Sequence, residues 1–352
     1  MWVGFAAYLA VLAVAPRLGP RLVWGAIAVL VTGFALAPVL LSHDVYSYVD
    51  YARLGVHHGL DPYVYEPDAA PGDPAFAHVT WIDAKSAYGP LFTLATYPLA
   101  WLPVGAAVAA LKVIAGFSVL GIALITSRIA AWRGIDPLRA AAFVALNPLV
   151  LVHVVGGAHN DAVTMLLVMV AVAAILSARE LSGGVALIAA IATKLSAAFI
   201  APFALLGSPR PKRTLMGGLT VALVIGIVAY LVFGWDWLHG VGLAGENQSR
   251  TSHLSIPTTF ARICGLDPGG VRLAAAVLFA ALVAYLLVWT WRGGDWVRAA
   301  AWAGFGLLLA TSWLLPWYLI WPLPLVAISR DRPLQLLTLS LTAYQLGARI
   351  PL

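Results

Sequence analysis

One carboxylate stands directly at the end of an apolar run. Residues 22–41 are almost wholly apolar, and the residues that follow, 42–48, read SHDVYSY. A carboxylate at the end of a membrane-length apolar run is costly unless water or a ligand compensates its charge. We therefore interpret Asp44 as a candidate functional residue.

The polar segment that contains Asp44, residues 42–90, is rich in tyrosine. Its substrate-binding candidates are Tyr48, Arg53, Asp61, Tyr63 and Tyr88. The alternative interpretation is an interfacial helix whose tyrosines form an aromatic belt at the membrane surface. Loops longer than about 12–15 residues are usually functional or disordered, and the aromatic content of this segment argues against disorder.

A second polar group joins two apolar runs. Residues 156–161 read GGAHND, and we interpret His159, Asn160 and Asp161 as binding residues. The alternative is a tight turn in which Asn160 or Asp161 caps the next helix. A cap needs only one such residue, whereas three polar side chains are adjacent here, so a binding role is kept beside the capping role.

Two lysines lie inside apolar runs. Lys194 is near the middle of the run 181–207, where an ionisable residue is by default a functional hypothesis. We interpret Lys194 as a substrate-binding cation, and its alternative is a side chain that snorkels to the membrane interface. Lys112 lies nearer the outer end of its own run, which favours snorkelling for that residue.

A later polar segment and an aromatic cluster complete the candidates. Arg250 and Ser255 belong to residues 235–268, whose amides, hydroxyls and aromatic rings suit a polyhydroxylated ligand. An ordinary amphipathic surface loop is the alternative for that segment. Trp317 and Tyr318 belong to the sequence WLLPWYLIWP at 313–322, which could face a ligand or form an aromatic belt broken by proline.

The elements that must position these residues are membrane helices. Of the 352 residues, 62% are hydrophobic and 10% are charged, against about a quarter charged in soluble domains. A membrane span needs roughly 20 apolar residues. Apolar runs fall near residues 1–15, 22–41, 104–131, 138–155, 160–178, 181–207, 213–234, 271–291, 296–313, 315–328 and 334–350.

These runs predict an all-α fold, a polytopic transmembrane helical bundle of about 11–12 spans that forms a single domain over residues 1–352. Interfacial helices are expected in the first polar segment. The run 181–207 has basic residues at both ends, so we predict two half-helices that run out and back with Lys194 near their apex. Such breaks at membrane depth are tolerated only where protein or a water-filled cavity surrounds them.

The distribution of charge predicts the orientation. Thirteen of the 21 lysines and arginines lie in one set of connections, and 11 of the 15 acids lie at the opposite ends. Because cytoplasmic loops carry an excess of Lys and Arg, the basic set is predicted to be cytoplasmic. All eight histidines and the segments 42–90 and 235–268 then lie at the outer face, and this face is the predicted active-site side.

The sequence lacks the residues or motifs of several classes of functional site. The single cysteine, Cys264, excludes an intrachain disulfide and argues against a cysteine-based metal site. No Walker A loop, HExxH, GxSxG or dinucleotide motif is present, which disfavours water-soluble nucleotides as donors. The net charge of +6 reports loop orientation and not nucleic-acid binding. A transporter or flippase is the alternative function, but its polar groups should lie near the midplane.

A series of short motifs runs along most of the chain and carries a family resemblance. The motifs are DVYSY at 44–48, GLDPY at 59–63, YGPL at 88–91, NPL at 147–149, GGAHND at 156–161, ATK at 192–194, SIPT at 255–258 and PWY at 316–318. In these motifs the chain resembles the GT-C superfamily of polytopic glycosyltransferases. It is similar in particular to actinobacterial polyprenyl-phosphate-mannose-dependent α-(1→6)-mannosyltransferases.

The resemblance implies transfer of a mannosyl residue from a polyprenyl-phosphate donor to a mannan or glycolipid acceptor at the outer face of the plasma membrane. Family members place an acid where Asp44 stands. Direct displacement of the lipid phosphate would invert the anomeric centre through an oxocarbenium-like transition state and needs one base. The resemblance makes Asp44 the candidate catalytic residue, which would take the proton of the attacking hydroxyl, and Asp50 and Asp61 in the same polar segment are the alternatives. Lys194 or Arg250 could stabilise the departing phosphate. The resemblance implies no certain cofactor, although a divalent cation could assist.

Overall fold

The computed structural model describes residues 1–246 and 250–348. Residues 247–249 of the second polar segment and the last four residues of the chain, 349–352, lie outside the described part. Within that part the chain is helical with connecting turns and no β-strand, which confirms the predicted all-α fold. The α-helices are α1 (Trp2–Val14), α2 (Pro20–Leu36), α3 (Asp44–His58), α4 (Pro90–Thr96), α5 (Val104–Trp132), α6 (Pro137–Ala145), α7 (Asp161–Leu176), α8 (Glu180–Thr193), α9 (Ala201–Gly207), α10 (Pro211–Phe233), α11 (His239–Glu246), α12 (Ile256–Cys264), α13 (Pro268–Trp291), α14 (Trp296–Ala310), α15 (Leu323–Ala327) and α16 (Arg332–Gly347).

Three of these helices are long and apolar enough to cross a membrane. They are α5, α10 and α13, with 29, 23 and 24 residues, and roughly 20 suffice for a span. Six further apolar helical segments of 10–17 residues accompany them. Together these helices form the bundle of a polytopic membrane protein.

Two apolar runs that we predicted as spans are instead broken helices. In the run 138–155, α6 ends at Ala145 and a π-helical turn follows at Val150–Val155. The run 315–328 consists of a 3-10 turn at Pro316–Ile320 followed by the short α15. Proline explains both breaks, because Pro148 and Pro322 lack the backbone N–H that would continue the helical hydrogen bonds. Apolar composition alone did not reveal these breaks.

The run 181–207 turns back on itself, as we predicted. Helix α8 ends at Thr193, Lys194 is extended (φ −156°, ψ 124°), and the chain continues through a 3-10 turn into α9. The start of α10, which follows α9, packs closely on the start of α8 where Gly184 meets Thr214. The chain therefore leaves and returns to the same end of the bundle, and Lys194 lies at the apex of the turn.

The first polar segment docks on that apex. The Gly89 N–H donates a hydrogen bond to the Thr193 carbonyl at 3.1 Å. A side chain at position 89 would overlap the Ala192 carbonyl, so only glycine allows the two backbones to approach this closely. Pro90 then begins α4. This contact fixes the end of the first segment against the residue that precedes Lys194.

Candidate active site

A cavity of about 850 Å³ lies among the two polar segments, the apex of the 181–207 run and the aromatic cluster at 313–322. Its volume is in the range of small-molecule sites. The charged, aromatic and imidazole side chains on its wall are Asp44, Tyr51, Glu66, Trp81, Asp83, Lys85, Tyr88, Lys194, His239, Glu246, Arg250, Trp313, Trp317, Tyr318 and Trp321. Six of the residues that we predicted as site residues are on this wall, namely Asp44, Tyr88, Lys194, Arg250, Trp317 and Tyr318.

Asp44 is the first residue of α3, and its side chain is 17% exposed. Its Oδ1 accepts a hydrogen bond from the Trp81 indole N–H at 3.1 Å. Its Oδ2 lies 3.7 Å from Nδ1 of His159, beyond hydrogen-bond distance. Burial raises the pKa of Asp44, and the Trp81 hydrogen bond and the charge of Lys194 partly oppose that rise. A raised pKa makes the carboxylate a better proton acceptor.

Lys194 is held in place by a buried acid. Its Nζ donates to both carboxylate oxygens of Asp161, at 2.9 and 2.7 Å, and to Oδ1 of Asn160 at 3.3 Å. Asp161 is fully buried and also accepts a 2.6 Å hydrogen bond from the Trp321 indole. The ammonium lies 5.5 Å from the centroid of the Tyr318 ring, within cation–π range. Asp161 and Asn160 therefore lie behind the cavity wall and support Lys194.

A stack of rings forms the wall beside Asp44. The His159 imidazole is stacked on Trp317, with centroids 3.8 Å apart and planes 18° apart. Tyr48 is buried behind this stack, with its hydroxyl 3.5 Å from the Asn160 backbone nitrogen. The Tyr48 ring meets the Tyr88 ring edge to face at 4.8 Å. His159 and Tyr48 thus pack behind residues that reach the cavity.

Arg250 and Lys85 supply further positive charge to the wall. The Arg250 guanidinium carbon lies 5.3 Å from the centroid of the Trp81 ring. Trp81 therefore contacts the Asp44 carboxylate with its indole N–H and the Arg250 cation with its ring. This tryptophan links the first polar segment, which carries the acid, to the second, which carries the arginine.

Arg53 lies away from the cavity, in an ion pair. Its Nε donates to Oδ1 of Asp73 at 2.7 Å, and its terminal nitrogen donates to the Ala100 carbonyl at 3.0 Å. His58 Nε2 lies 2.9 Å from the other oxygen of Asp73. Burial alone would raise the pKa of Asp73, but hydrogen bonds from Arg53, the Ala75 N–H and His58 lower it overall. The group has the contacts of a structural network.

The two alternative bases are not on the cavity wall. Asp50 is 1% exposed, and no described residue hydrogen-bonds its buried Oδ2. Burial, reinforced by the charge of Asp73, raises the pKa of Asp50 to about 7. Asp61 accepts a hydrogen bond from the Tyr63 N–H at 2.8 Å, which closes a local turn. Burial, reinforced by Asp236, raises the pKa of Asp61.

Tyr63 and Ser255 also have structural contacts. The fully buried Tyr63 hydroxyl donates to the Tyr88 carbonyl at 2.9 Å. Ser255 caps α12 by accepting from the Thr258 N–H, and its own hydroxyl donates to the Thr311 carbonyl at 3.2 Å. Both residues fix segments that reach the cavity, and neither is on its wall.

Sequence reasoning missed several residues on the wall. Trp81, Lys85 and Trp321 line the cavity. The indole N–H groups of Trp81 and Trp321 donate hydrogen bonds to Asp44 and Asp161. A signal was present for Trp321, because it follows Trp317 by four residues in the same aromatic cluster. For Trp81 the partner is 37 residues away, so no local pattern indicates the contact. Across residues 1–246 and 250–348, no group of three or more His, Cys, Asp or Glu side chains is arranged to hold a metal ion.

Comparison with known proteins agrees with this arrangement of motifs. The chain is 29% identical over 333 residues to alpha-(1->6)-mannopyranosyltransferase A of Mycobacterium tuberculosis (strain ATCC 25618 / H37Rv), covering 83% of this chain and 63% of that protein. It is also 29% identical over 181 residues to the protein of the same name from Corynebacterium glutamicum, covering 49% of this chain and 36% of that protein. The chain thus spans less than two thirds of the length of these relatives.

A family model described as "Alpha-(1->6)-mannopyranosyltransferase, N-terminal domain" matches residues 1–209. This range is more than half of the chain, and it includes Asp44, the His159–Asp161 turn and Lys194. The match confirms the resemblance found in the motifs. The chain therefore belongs to the alpha-(1->6)-mannopyranosyltransferase family.

Proposed function

We propose that the chain is a membrane mannosyltransferase whose base is Asp44. It transfers a mannosyl residue from a polyprenyl-phosphate donor to a hydroxyl of a glycan or glycolipid acceptor, with inversion, at the outer face of the plasma membrane. The observation that carries the proposal is a half-buried carboxylate, Asp44, opening on a cavity that also presents Lys194, Arg250 and Lys85. Base, cations and aromatic rings are the groups that transfer from a sugar phosphate requires.

In this reaction the acceptor oxygen attacks the anomeric carbon, and the bond from that carbon to the phosphate oxygen breaks. The acceptor proton passes to Asp44, and the electron pair leaves with the phosphate. Because Oδ1 of Asp44 is held by Trp81, we assign the proton to Oδ2. The raised pKa of Asp44 favours this transfer once the carboxylate is ionised.

The departing phosphate needs a cation, and the contacts favour Arg250 over Lys194. All three described hydrogen bonds of the Lys194 ammonium go to Asp161 and Asn160, so a buried carboxylate already offsets its charge. Arg250 presents a fork of N–H donors that suits phosphate geometry. Lys194 then serves mainly to keep positive potential near Asp44, whose pKa it lowers.

The walls also support a lipid-linked donor. Leu195, Leu243 and Leu315 face the same cavity as the cations. The exposed, apolar faces of α10 and α13 suit contact with lipid chains. Segments 42–90 and 235–268, which supply Asp44 and Arg250, form the proposed active-site side of a single domain.

Mannosyl transfer in membranes tests this function. Wild type is compared with Asp44→Asn, using polyprenyl-phosphate mannose or guanosine diphosphate mannose as donor and a short α-mannan as acceptor. We expect transfer from the lipid donor only. Loss of the base should reduce this transfer about 10²–10⁴-fold, while the protein stays folded because Asp44 makes few contacts.

The matched control is Asp50→Asn on the same helix, which is off the cavity wall and should keep transfer. Transfer that survives Asp44→Asn but not Asp50→Asn would move the base to Asp50. Use of the nucleotide sugar would overturn the proposed donor. Absence of transfer from every lipid-phosphate sugar, with movement of a lipid-linked sugar across the bilayer instead, would favour a flippase.

A further inference from the structure

A buried lysine in α5 takes no part in the proposed chemistry. Lys112 is 3% exposed and is not on the cavity wall. Its Nζ donates to the Pro38 carbonyl at 3.0 Å and to the Gly156 carbonyl at 2.9 Å, and no described carboxylate forms an ion pair with it. Snorkelling to water, which its position favoured, is wrong, because the ammonium is enclosed by protein. A buried charge of this kind is costly without compensating contacts.

The two carbonyls belong to the two segments that carry the acids of the site. Pro38 lies in the stretch between α2 and Asp44, and Gly156 begins the turn that leads to His159 and Asp161. The Leu40 N–H also donates to the Gly156 carbonyl, at 3.2 Å. The ammonium therefore sits where both segments cross the outer part of α5.

Each of these segments contains a residue with left-handed backbone. Leu41 has φ 61°, three residues before Asp44, and Ala158 has φ 55°, one residue before His159. Residues with a Cβ rarely adopt this conformation, which persists only where the surroundings impose it. Strain on both sides of one shared contact indicates that the contact holds the segments in place.

We propose that Lys112 is a positioning residue that clamps the two strained segments, so that Asp44 and the Asp161–Lys194 pair face one cavity. The segments meet at the 3.7 Å approach between Asp44 and His159. A displacement of about 1 Å at such a site can cost about 10²-fold in rate. The activity readout of this proposal rests on the proposed mannosyltransferase function, whereas the clamp itself can be measured without it.

The test uses Lys112→Met in the full chain, with Ser118→Ala as its matched control. Ser118 lies in the same helix, is 3% exposed, and donates only to the Ile114 carbonyl of its own helix among the described bonds. For Lys112→Met we expect faster amide hydrogen exchange at residues 39–44 and 156–161. We also expect kcat for mannosyl transfer to fall about 10²-fold with little change in KM. Ser118→Ala should change neither quantity.

Unchanged exchange in either segment would overturn the clamp, as would wild-type kcat. A loss confined to KM would also overturn it, because it would make Lys112 a ligand-binding cation. Lys112→Arg, which keeps N–H donors for the carbonyls, should restore protection and most of kcat. If Lys112→Met does not fold, the same exchange comparison is made with Lys112→Ala, which also removes the N–H donors. If wild type shows no transfer, the proposed function fails, and exchange alone still decides on the clamp.

Discussion

Two acids lie near opposite ends of α3 in opposite circumstances, Asp44 in the helix itself and Asp73 in the loop that follows it. At its start, Asp44 has one strong donor, Trp81, and opens on the cavity. Further along, Asp73 packs against the helix and receives Arg53, His58 and a backbone N–H. The first carboxylate keeps an oxygen available for a substrate, whereas the second is fully satisfied within the protein. This difference agrees with the proposed roles of Asp44 as a base and of Asp73 as part of a structural network.

Asp50 lies between these two cases. It is buried like Asp73, but it lacks a described partner for Oδ2 and its pKa is raised to about 7. Such a group costs stability whenever it is ionised. We therefore expect substitutions that act on Asp44 to change activity, and substitutions of Arg53 and Asp50 to change stability.

Breaking the Arg53–Asp73 pair should have the largest effect on stability. Arg53→Met leaves a carboxylate that is 3% exposed without its main partner, and removal of one partner of a buried pair costs about 3–5 kcal/mol. Denaturant unfolding of the detergent-solubilised protein measures this loss.

The control for Arg53→Met is Arg298→Met. Arg298 pairs with the buried Asp331 at the same 2.7 Å but is itself 47% exposed, so its loss should cost less. Folded Arg53→Met protein should transfer mannose with near wild-type KM. A large rise in KM for donor or acceptor would instead support the substrate-binding role that the sequence suggested for Arg53.

Asp50→Asn should stabilise the protein in a pH-dependent way. Because the pKa of Asp50 is raised from 3.8 to about 7 in the folded state, the folded protein holds a proton between these values that the unfolded chain has lost. The contribution of Asp50 to the unfolding free energy therefore falls as pH rises from about 4 to 7. Its full destabilising effect is reached above pH 7.

At 1.36 kcal/mol per pKa unit, removing that penalty is worth at most about 4 kcal/mol. We expect Asp50→Asn to raise the unfolding free energy by about 2–4 kcal/mol at pH 8 and by little at pH 4. Equal effects at both pH values would show that packing, and not ionisation, is responsible.

Trp81→Phe should move the acid limb of the pH–rate profile. The proposed reaction needs ionised Asp44, so we expect kcat/KM to rise with pH through the pKa of this group. The Trp81 hydrogen bond lowers that pKa, and a hydrogen bond to a charged group contributes about 1.5–3 kcal/mol. Its removal should shift the limb to higher pH.

Trp313→Phe is the matched control for Trp81→Phe. Trp313 lines the same cavity with its ring 6.4 Å from that of Trp81, and no described hydrogen bond joins it to Asp44. The acid limb of the pH–rate profile of Trp313→Phe should stay at its wild-type pH. A limb that stays in place in both variants would mean that Asp44 is not the group whose ionisation controls the rate.

The sequence predicted the helical fold and the turn at Lys194, and it singled out Asp44, because each depends on a local pattern. Apolar length predicts helices, basic flanks predict the turn, and the end of a run places Asp44 at a boundary. Arg53 shows a signal that was available but unused. Arg53 lies nine positions after Asp44, and at about 100° per residue the two side chains lie on opposite faces of one helix.

Other contacts depend on packing between distant segments. Trp81 meets Asp44 across 37 residues, and Trp321 meets Asp161 across 160. Asp61, Tyr63 and Ser255 have residue types that suit a ligand as well as a turn, a core hydrogen bond or a helix cap. Only the neighbours in the folded chain distinguish these roles, and a single sequence does not contain them.

The smallest effect concerns the strain beside the site. Leu41 is left-handed and 63% exposed, so Leu41→Gly removes strain and loses little packing. Glycine adopts this backbone readily but adds freedom to the unfolded chain, which leaves a net gain of about 0.5–1 kcal/mol. Ala178→Gly relieves an equivalent φ of 56° at an exposed position between α7 and α8 and should give a similar gain. Because Lys112 still donates to the Pro38 carbonyl and the Leu40 N–H still donates to the Gly156 carbonyl, Leu41→Gly should keep kcat. A stabilised Leu41→Gly protein with a lower kcat would show that the side chain, and not the backbone contacts alone, places Asp44.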